Sequence, residues 1–132
     1  MPQILWPLLN HRPIIEIVLS PTTGGPSLVR QVIADTGAGR ARSGFELVLN
    51  ETDCLLCDGI PSYPITLGGA YAGSFPTYLV RIGIPALNFD HTLGIAGVPS
   101  CPTGFDGIAG FRLLNRFTYG NFGDPSRFGL ET

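Results

Sequence analysis

Apolar residues in this chain come in short runs broken by clusters of glycine, proline and small polar residues. "RPIIEIVLSP" (12–21) is β-branched and ends in the turn cluster Pro-Thr-Thr-Gly-Gly-Pro, and "SLVRQVIADTG" (27–37) follows directly. The two segments predict a hairpin with its loop in the low twenties. "FELVLN" (45–50) reads as another short strand. "YPITLGG" and "SFPTYLVRIGI" flank a Gly/Ala-rich tip, "GGAYAGS" (68–74), and predict a second hairpin; "LNFDHTLGIAGV" (87–98) predicts a further strand. Helical spacing is confined to "GFRLLNRF" (110–117), where Leu113, Leu114 and Phe117 share one face and Arg112 and Arg116 the other. The tail "FTYGNFGDPSRFGLET" offers one or two terminal strands. No solenoid-type repeat is visible. The expectation is an all-β single domain over residues 1–132 with one short helix near the C-terminus.

Composition sharpens this picture in three ways. The 132 residues are 44% hydrophobic and only 14% charged, enough apolar material for a core. The 18 glycines and 12 prolines, about twice average usage and without a period, fit many turns between short strands. The net charge is −2, with eight arginines, no lysine and no basic cluster, which argues against a nucleic-acid partner. "MPQILWPLLNHRP" has neither the basic start nor the cleavage site of a signal peptide, and no apolar run approaches the roughly 18 residues of a membrane span. With three cysteines, an odd number, the expectation is a cytoplasmic protein without a full disulfide framework and without membrane association.

The chemistry-bearing stretch is "VIADTGAGR" (32–40). Its apolar residues before Asp35 predict a strand buried on both faces, where a lone carboxylate is costly unless it is hydrogen-bonded or shares its charge. Thr36 supplies a hydroxyl, and Gly37 lets its N–H approach the carboxylate with no Cβ in the way. An ordinary Asp-initiated turn is the competing explanation. A second feature is "FDGIAGFRLL" (105–114), in which two glycines bracket an apolar pair just before the helix. Gly110 suits a close passage past another backbone, with Ile108 and Ala109 packing beneath.

An apolar strand running into Asp-Thr-Gly-Ala, then a flap-like hairpin, then apolar-apolar-Gly leading into a helix, resembles an aspartic protease. "ADTGA" is similar to the active-site motif of retropepsins, and "FDGIAGF" to the segment supporting the active-site loop in pepsin-like lobes. "PQILW" followed by "RPIIEIVL" is similar to the start of lentiviral proteases. The resemblance spans roughly residues 2–117. It implies a retropepsin-like bent β-barrel lobe with a flap, acting as an aspartic endopeptidase. Asp35 would be the catalytic carboxylate, Thr36 would hydrogen-bond across the base of the site, and Gly37 would donate its N–H to the carboxylate. Ala38, Ile108, Ala109 and Gly110 would form the scaffold. Gly68, Gly69, Ala70, Tyr71, Ala72 and Gly73 would be the flap tip over an extended peptide substrate. No cofactor or metal is implied. Retropepsins often follow apolar-apolar-Gly with Arg and an acidic or amide residue; here Phe111 and Arg112 follow, and Gly39-Arg40 places a long cation near the cleft.

Two carboxylates are needed for this chemistry, and one Asp-Thr-Gly provides one, so a C2 homodimer is expected, with segments 2–9 and 127–132 as candidates for an intersubunit sheet. Two rivals stand beside the enzyme. One is a non-catalytic module of the same fold that binds peptides or dimerises, disfavoured because a retired site has no reason to keep a costly buried acid. The other is a zinc-stabilised β domain using Cys54, Cys57, His91 and Cys101, set against buried free thiols or a Cys54–Cys57 or Cys101 disulfide. The Leu-Leu pair between Cys54 and Cys57 favours core packing.

Overall fold

Strands that alternate apolar and polar residues leave one face to be covered, and this chain covers it by closing a sheet on itself. The computed structural model describes residues 2–101 and 104–132. Its strands are β1 (Gln3–Pro7), β2 (Ile14–Ser20), β3 (Leu28–Ala34), β4 (Leu47–Asn50), β5 (Ile60–Leu67), β6 (Gly73–Ile84), β7 (Phe89–Val98), β8 (Gly107–Ala109), β9 (Thr118–Gly120) and β10 (Arg127–Glu131). Two short helices, α1 (Glu51–Leu56) and α2 (Phe111–Leu114), complete the set.

The large sheet runs β2-β3-β8-β4-β7-β6-β5, and an added β2–β6 pairing closes its first six strands into a barrel. Closure depends on the length of β6, twelve residues. Its first half pairs with β5 from Gly73 to Leu79, its second half pairs with β7, and Arg81 to Gly83 reach β2. The expected β2–β3 hairpin is present, with Ile14 opposite Ile33 and Leu19 opposite Leu28. β5 lies on the edge, which tolerates Pro61 and Pro64, and its register shifts between Ser62 and Ile65.

Ile15, Ile17, Leu19, Leu47, Ile82 and Ile95 are fully buried inside the barrel. Each such side chain contributes about 1.5–3 kcal/mol over its exposed state. A second, smaller apolar cluster of Phe45, Val48, Ala96 and Val98 lies under the β5–β6 hairpin.

Two expectations about helices change, and the terminal strands find partners within the chain. The segment 51–56, assigned no helix, forms α1, with Glu51 and Asp53 in its first turn and Cys54 buried beneath. α2 covers four residues rather than the whole of 110–117, although N–H groups of Asn115, Arg116 and Phe117 continue the turn. The terminal segments pair with each other inside one chain, in register from Gln3 opposite Glu131 to Pro7 opposite Arg127, with β9 on the far side of β10. This three-stranded sheet is fastened to the barrel core through buried Trp6 and Leu130. Among the described residues no helix is long and apolar enough to cross a membrane.

Candidate active site

The site is built where β8 inserts between two strands that the chain itself connects. β8 pairs in parallel with β3 and antiparallel with β4, so the segment leaving β3 and returning to β4 straddles it. Only a small-residue strand fits this passage. A Cβ on Gly107 would lie 2.2 Å from the Val48 carbonyl oxygen, and one on Gly110 would lie 2.8 Å from the Ala38 carbonyl oxygen. Ile108 and Ala109 thus pair with the end of β3, and Gly110 passes against the Ala38 carbonyl after the Asp-Thr-Gly loop.

Backbone hydrogen bonds then fix the loop. The Asp35 N–H donates to the Ala109 carbonyl at 2.9 Å, the Ala38 N–H to the Asp35 carbonyl at 3.1 Å, and the Phe111 N–H to the Ala38 carbonyl at 2.8 Å. The Gly37 N–H donates to Asp35 Oδ1 at 2.9 Å, the contact expected from the sequence. Asp35 and Thr36 are nevertheless exposed in the single chain, and β3 buries both neighbouring faces only at Val32 and Ile33. The expected burial of the carboxylate is corrected accordingly: one chain leaves it facing solvent.

Three further acids, Asp106, Asp90 and Asp58, are engaged elsewhere. Asp106 Oδ2 accepts the Gln31 N–H at 2.9 Å, four residues back along β3 and so about 13 Å from Asp35. Asp90 pairs with Arg81 at 2.6 Å, and Asp58 accepts from Thr23 Oγ1 at 2.8 Å.

Beside the Asp-Thr-Gly loop lies a cleft of about 450 Å³. Gly37, Ala38, Gly39 and Arg40 line it from the segment after β3, and Thr66, Leu67, Gly68, Gly69 and Tyr71 from the β5–β6 hairpin. Phe45, Val48 and Ile108 line it as apolar surface. The tip turns through a single 3-10 turn, Gly69–Tyr71, which opens with Gly69 at φ +67° and is followed by Gly73 at φ +141°, values that an L side chain rarely adopts. Gly68, Ala72 and Gly73 are exposed, and the Ala70 side chain lies outside the described residues.

Tyr71 packs on the smaller apolar cluster with Ile65, Leu67 and Phe75. Its hydroxyl is buried without a hydrogen-bond partner among the described residues. Burial first, and then the adjacent Cys101 thiol, pushes the Tyr71 phenol up to about 12. Cys101 itself is pushed up to about 11, chiefly by burial.

The two cations on the exposed face of the helix, as the spacing predicts, also tie it to the segment leading into β4. Arg112 Nη1 donates to the Ser43 carbonyl at 2.6 Å, and Arg116 grips the buried Glu46 carboxylate at 2.6 and 3.1 Å. That hydrogen bond to Glu46 raises the Arg116 pKa. Glu46 also accepts the Gly110 N–H on its carbonyl at 3.0 Å, so the pair braces loop, β8 and helix together. An ion pair between residues 70 apart has no local sequence signal. The apolar flanks of Glu46 in "FELVLN" were the one hint that it points inward.

Cys54, Cys57 and Cys101 are free thiols; the first two are buried in the barrel core. Burial drives Cys54 up to about 12. The His91 ring packs at a tilt on Phe89, with ring centroids 4.6 Å apart. Among the described residues no group of three His, Cys, Asp or Glu side chains is placed to hold a metal ion. Neither models of known protein families, nor curated proteins, nor solved structures give any match to this chain.

Proposed function

We propose that the chain is a retropepsin-like aspartic endopeptidase that works as a homodimer, each chain supplying one Asp35. The observation that carries this reading is the exposed Asp35, held by Gly37 N–H at 2.9 Å beside a cleft roofed by a Gly-rich hairpin. Asp106, Asp90 and Asp58 are engaged elsewhere, which supports a second copy as the source of the second carboxylate.

Two Asp35 carboxylates brought close to a two-fold axis share one proton, because like charges about 3 Å apart cannot both ionise. The ionised partner takes a proton from a water, whose oxygen attacks the peptide carbonyl. The protonated partner hydrogen-bonds the developing oxyanion, and as the tetrahedral intermediate collapses the C–N bond breaks and the proton taken from the water passes to the leaving amine. The dyad titrates as a unit. Thr36, exposed beside Asp35, would hydrogen-bond across the same axis. The tip 68–73 would close over an extended peptide, exclude water and set its register.

The non-catalytic reading gains one point from the structure. An acid exposed in the single chain carries no burial cost, so an intact Asp-Thr-Gly is no argument against a retired site. Cleavage of an unstructured protein at mildly acid pH by the wild-type chain, abolished in a folded Asp35→Asn chain, is the outcome expected of the enzyme. Equal cleavage by the two proteins removes Asp35 from the chemistry, and no cleavage by either leaves a binding module.

A further inference from the structure

Among the described residues that line the cleft, one is charged, and it is a cation. Arg40 stands in the segment that begins at Gly37, while Phe45, Val48, Leu67 and Ile108 make the cleft apolar around it. The arginine is exposed and takes part in none of the ion pairs formed among the described residues. Its backbone is held: the Arg40 N–H donates to Ser43 Oγ at 2.6 Å, and the Ser43 N–H returns to the Arg40 carbonyl at 3.1 Å. Gly39, at φ +79°, makes the turn that places it there.

Among the described residues no carboxylate lies within ion-pair distance of Arg40. Arg42 is exposed two residues on, and Arg112 reaches the same loop at the Ser43 carbonyl. The buried Glu46 carboxylate belongs to Arg116. A cation at the edge of an apolar cleft, without a carboxylate of its own, lacks a partner that an incoming chain can supply.

We propose that Arg40 selects peptides carrying an acidic side chain near the scissile bond, and that in the dimer its two copies select acids at equal distances on both sides. This rests on the endopeptidase reading for the position of the cleft relative to the scissile bond. The dyad carries its own shared negative charge, so the acid belongs beside Arg40 and away from the reacting carbonyl. Arginine suits the task, because its fork meets a carboxylate with two parallel hydrogen bonds.

The test uses the whole protein and a mixture of peptides from a denatured protein, with cleavage sites read by mass spectrometry at pH 5–6, where Asp and Glu side chains are ionised. Expected is enrichment of Asp or Glu at one position on each side of the cut, at matching distances. In matched synthetic peptides, Glu→Gln there lowers kcat/KM by about fivefold, the size of a partly exposed ion pair. The effect falls mainly on KM, shrinks in 0.5 M salt as charges are screened, vanishes in Arg40→Gln and turns to favour Lys in Arg40→Glu.

Cleavage with no acidic preference, or a Glu/Gln ratio unchanged in Arg40→Gln, overturns the proposal and leaves the peptidase standing. The same peptide pairs are titrated against Asp35→Asn protein by fluorescence anisotropy. Binding that depends on Glu and on Arg40, without cleavage by wild type, overturns the peptidase and keeps the preference for an acidic partner. Absence of both cleavage and binding overturns both.

Discussion

The ion pair between Glu46 and Arg116 is unequal, and the inequality fixes how its two halves respond to mutation. The Glu46 side chain is 3% exposed, whereas that of Arg116 is 39% exposed. In Arg116→Met the carboxylate is stranded in the interior with its charge uncompensated. Breaking a buried pair in this way costs about 3–5 kcal/mol, and the partial exposure of the site places the value near 3. The Arg116 guanidinium also lies 5.9 Å from the Phe89 ring centroid, an interaction lost as well. In Glu46→Gln the arginine turns to water and the amide keeps one acceptor, so the loss is about 1 kcal/mol. The double variant Glu46→Met with Arg116→Met removes the stranded charge and costs less than Arg116→Met alone. Urea unfolding at one protein concentration gives these differences, provided m is unchanged. For a chain of this size the Arg116→Met loss corresponds to a Tm decrease of about 10 °C. A Glu46→Gln loss exceeding that of Arg116→Met refutes the reasoning.

Other outcomes follow from the same geometry. Gly107→Ala drives a Cβ to 2.2 Å from the Val48 carbonyl oxygen and costs about 3 kcal/mol; Gly110→Ala meets the Ala38 carbonyl at 2.8 Å and costs about 1–2 kcal/mol, both read by urea unfolding. Stability holds flat from neutral pH to about 9 and then falls toward 12. Tyr78, raised to about 12 mainly by its hydrogen bond to Glu51, and Cys54, raised to about 12 mainly by burial, keep their protons longer folded than unfolded, so their contribution is complete below the unfolded pKa values and is lost as pH rises through the folded ones. A pH titration of Tm showing no alkaline decline contradicts this. Elemental analysis finds no stoichiometric zinc and chelators leave Tm unchanged, since Cys54 and Cys57 face the apolar core and His91 lies on Phe89.

Short-range patterning carried most of the architecture. The β-branched run 12–21 and its partner 27–37 pair as expected, and the Gly-rich tip at 68–74 does join two strands. The Asp35–Gly37 contact is legible because it spans two residues and needs only a glycine. α1 escaped notice because six residues make fewer than two turns, too few for helical periodicity to register. The exposure of Asp35 was misjudged because a short apolar run reads as buried on both faces, while most of β3 alternates between half-buried and exposed. The clamp from Arg116 to Glu46 joins distant parts of the chain, and only the fold brings them together.

The central claim, one shared site made from two Asp35 residues, is tested most directly by mixing chains. Wild-type protein is combined with Asp35→Asn protein under conditions that allow subunits to exchange, and cleavage is measured per wild-type chain. A mixed dimer holds one carboxylate and one amide, which cannot share a proton between two acids, so it is inactive. With mutant fraction f and random exchange, activity per wild-type chain falls as 1 − f. Activity per wild-type chain that stays constant as mutant is added contradicts the account, because each chain would then hold a complete site of its own.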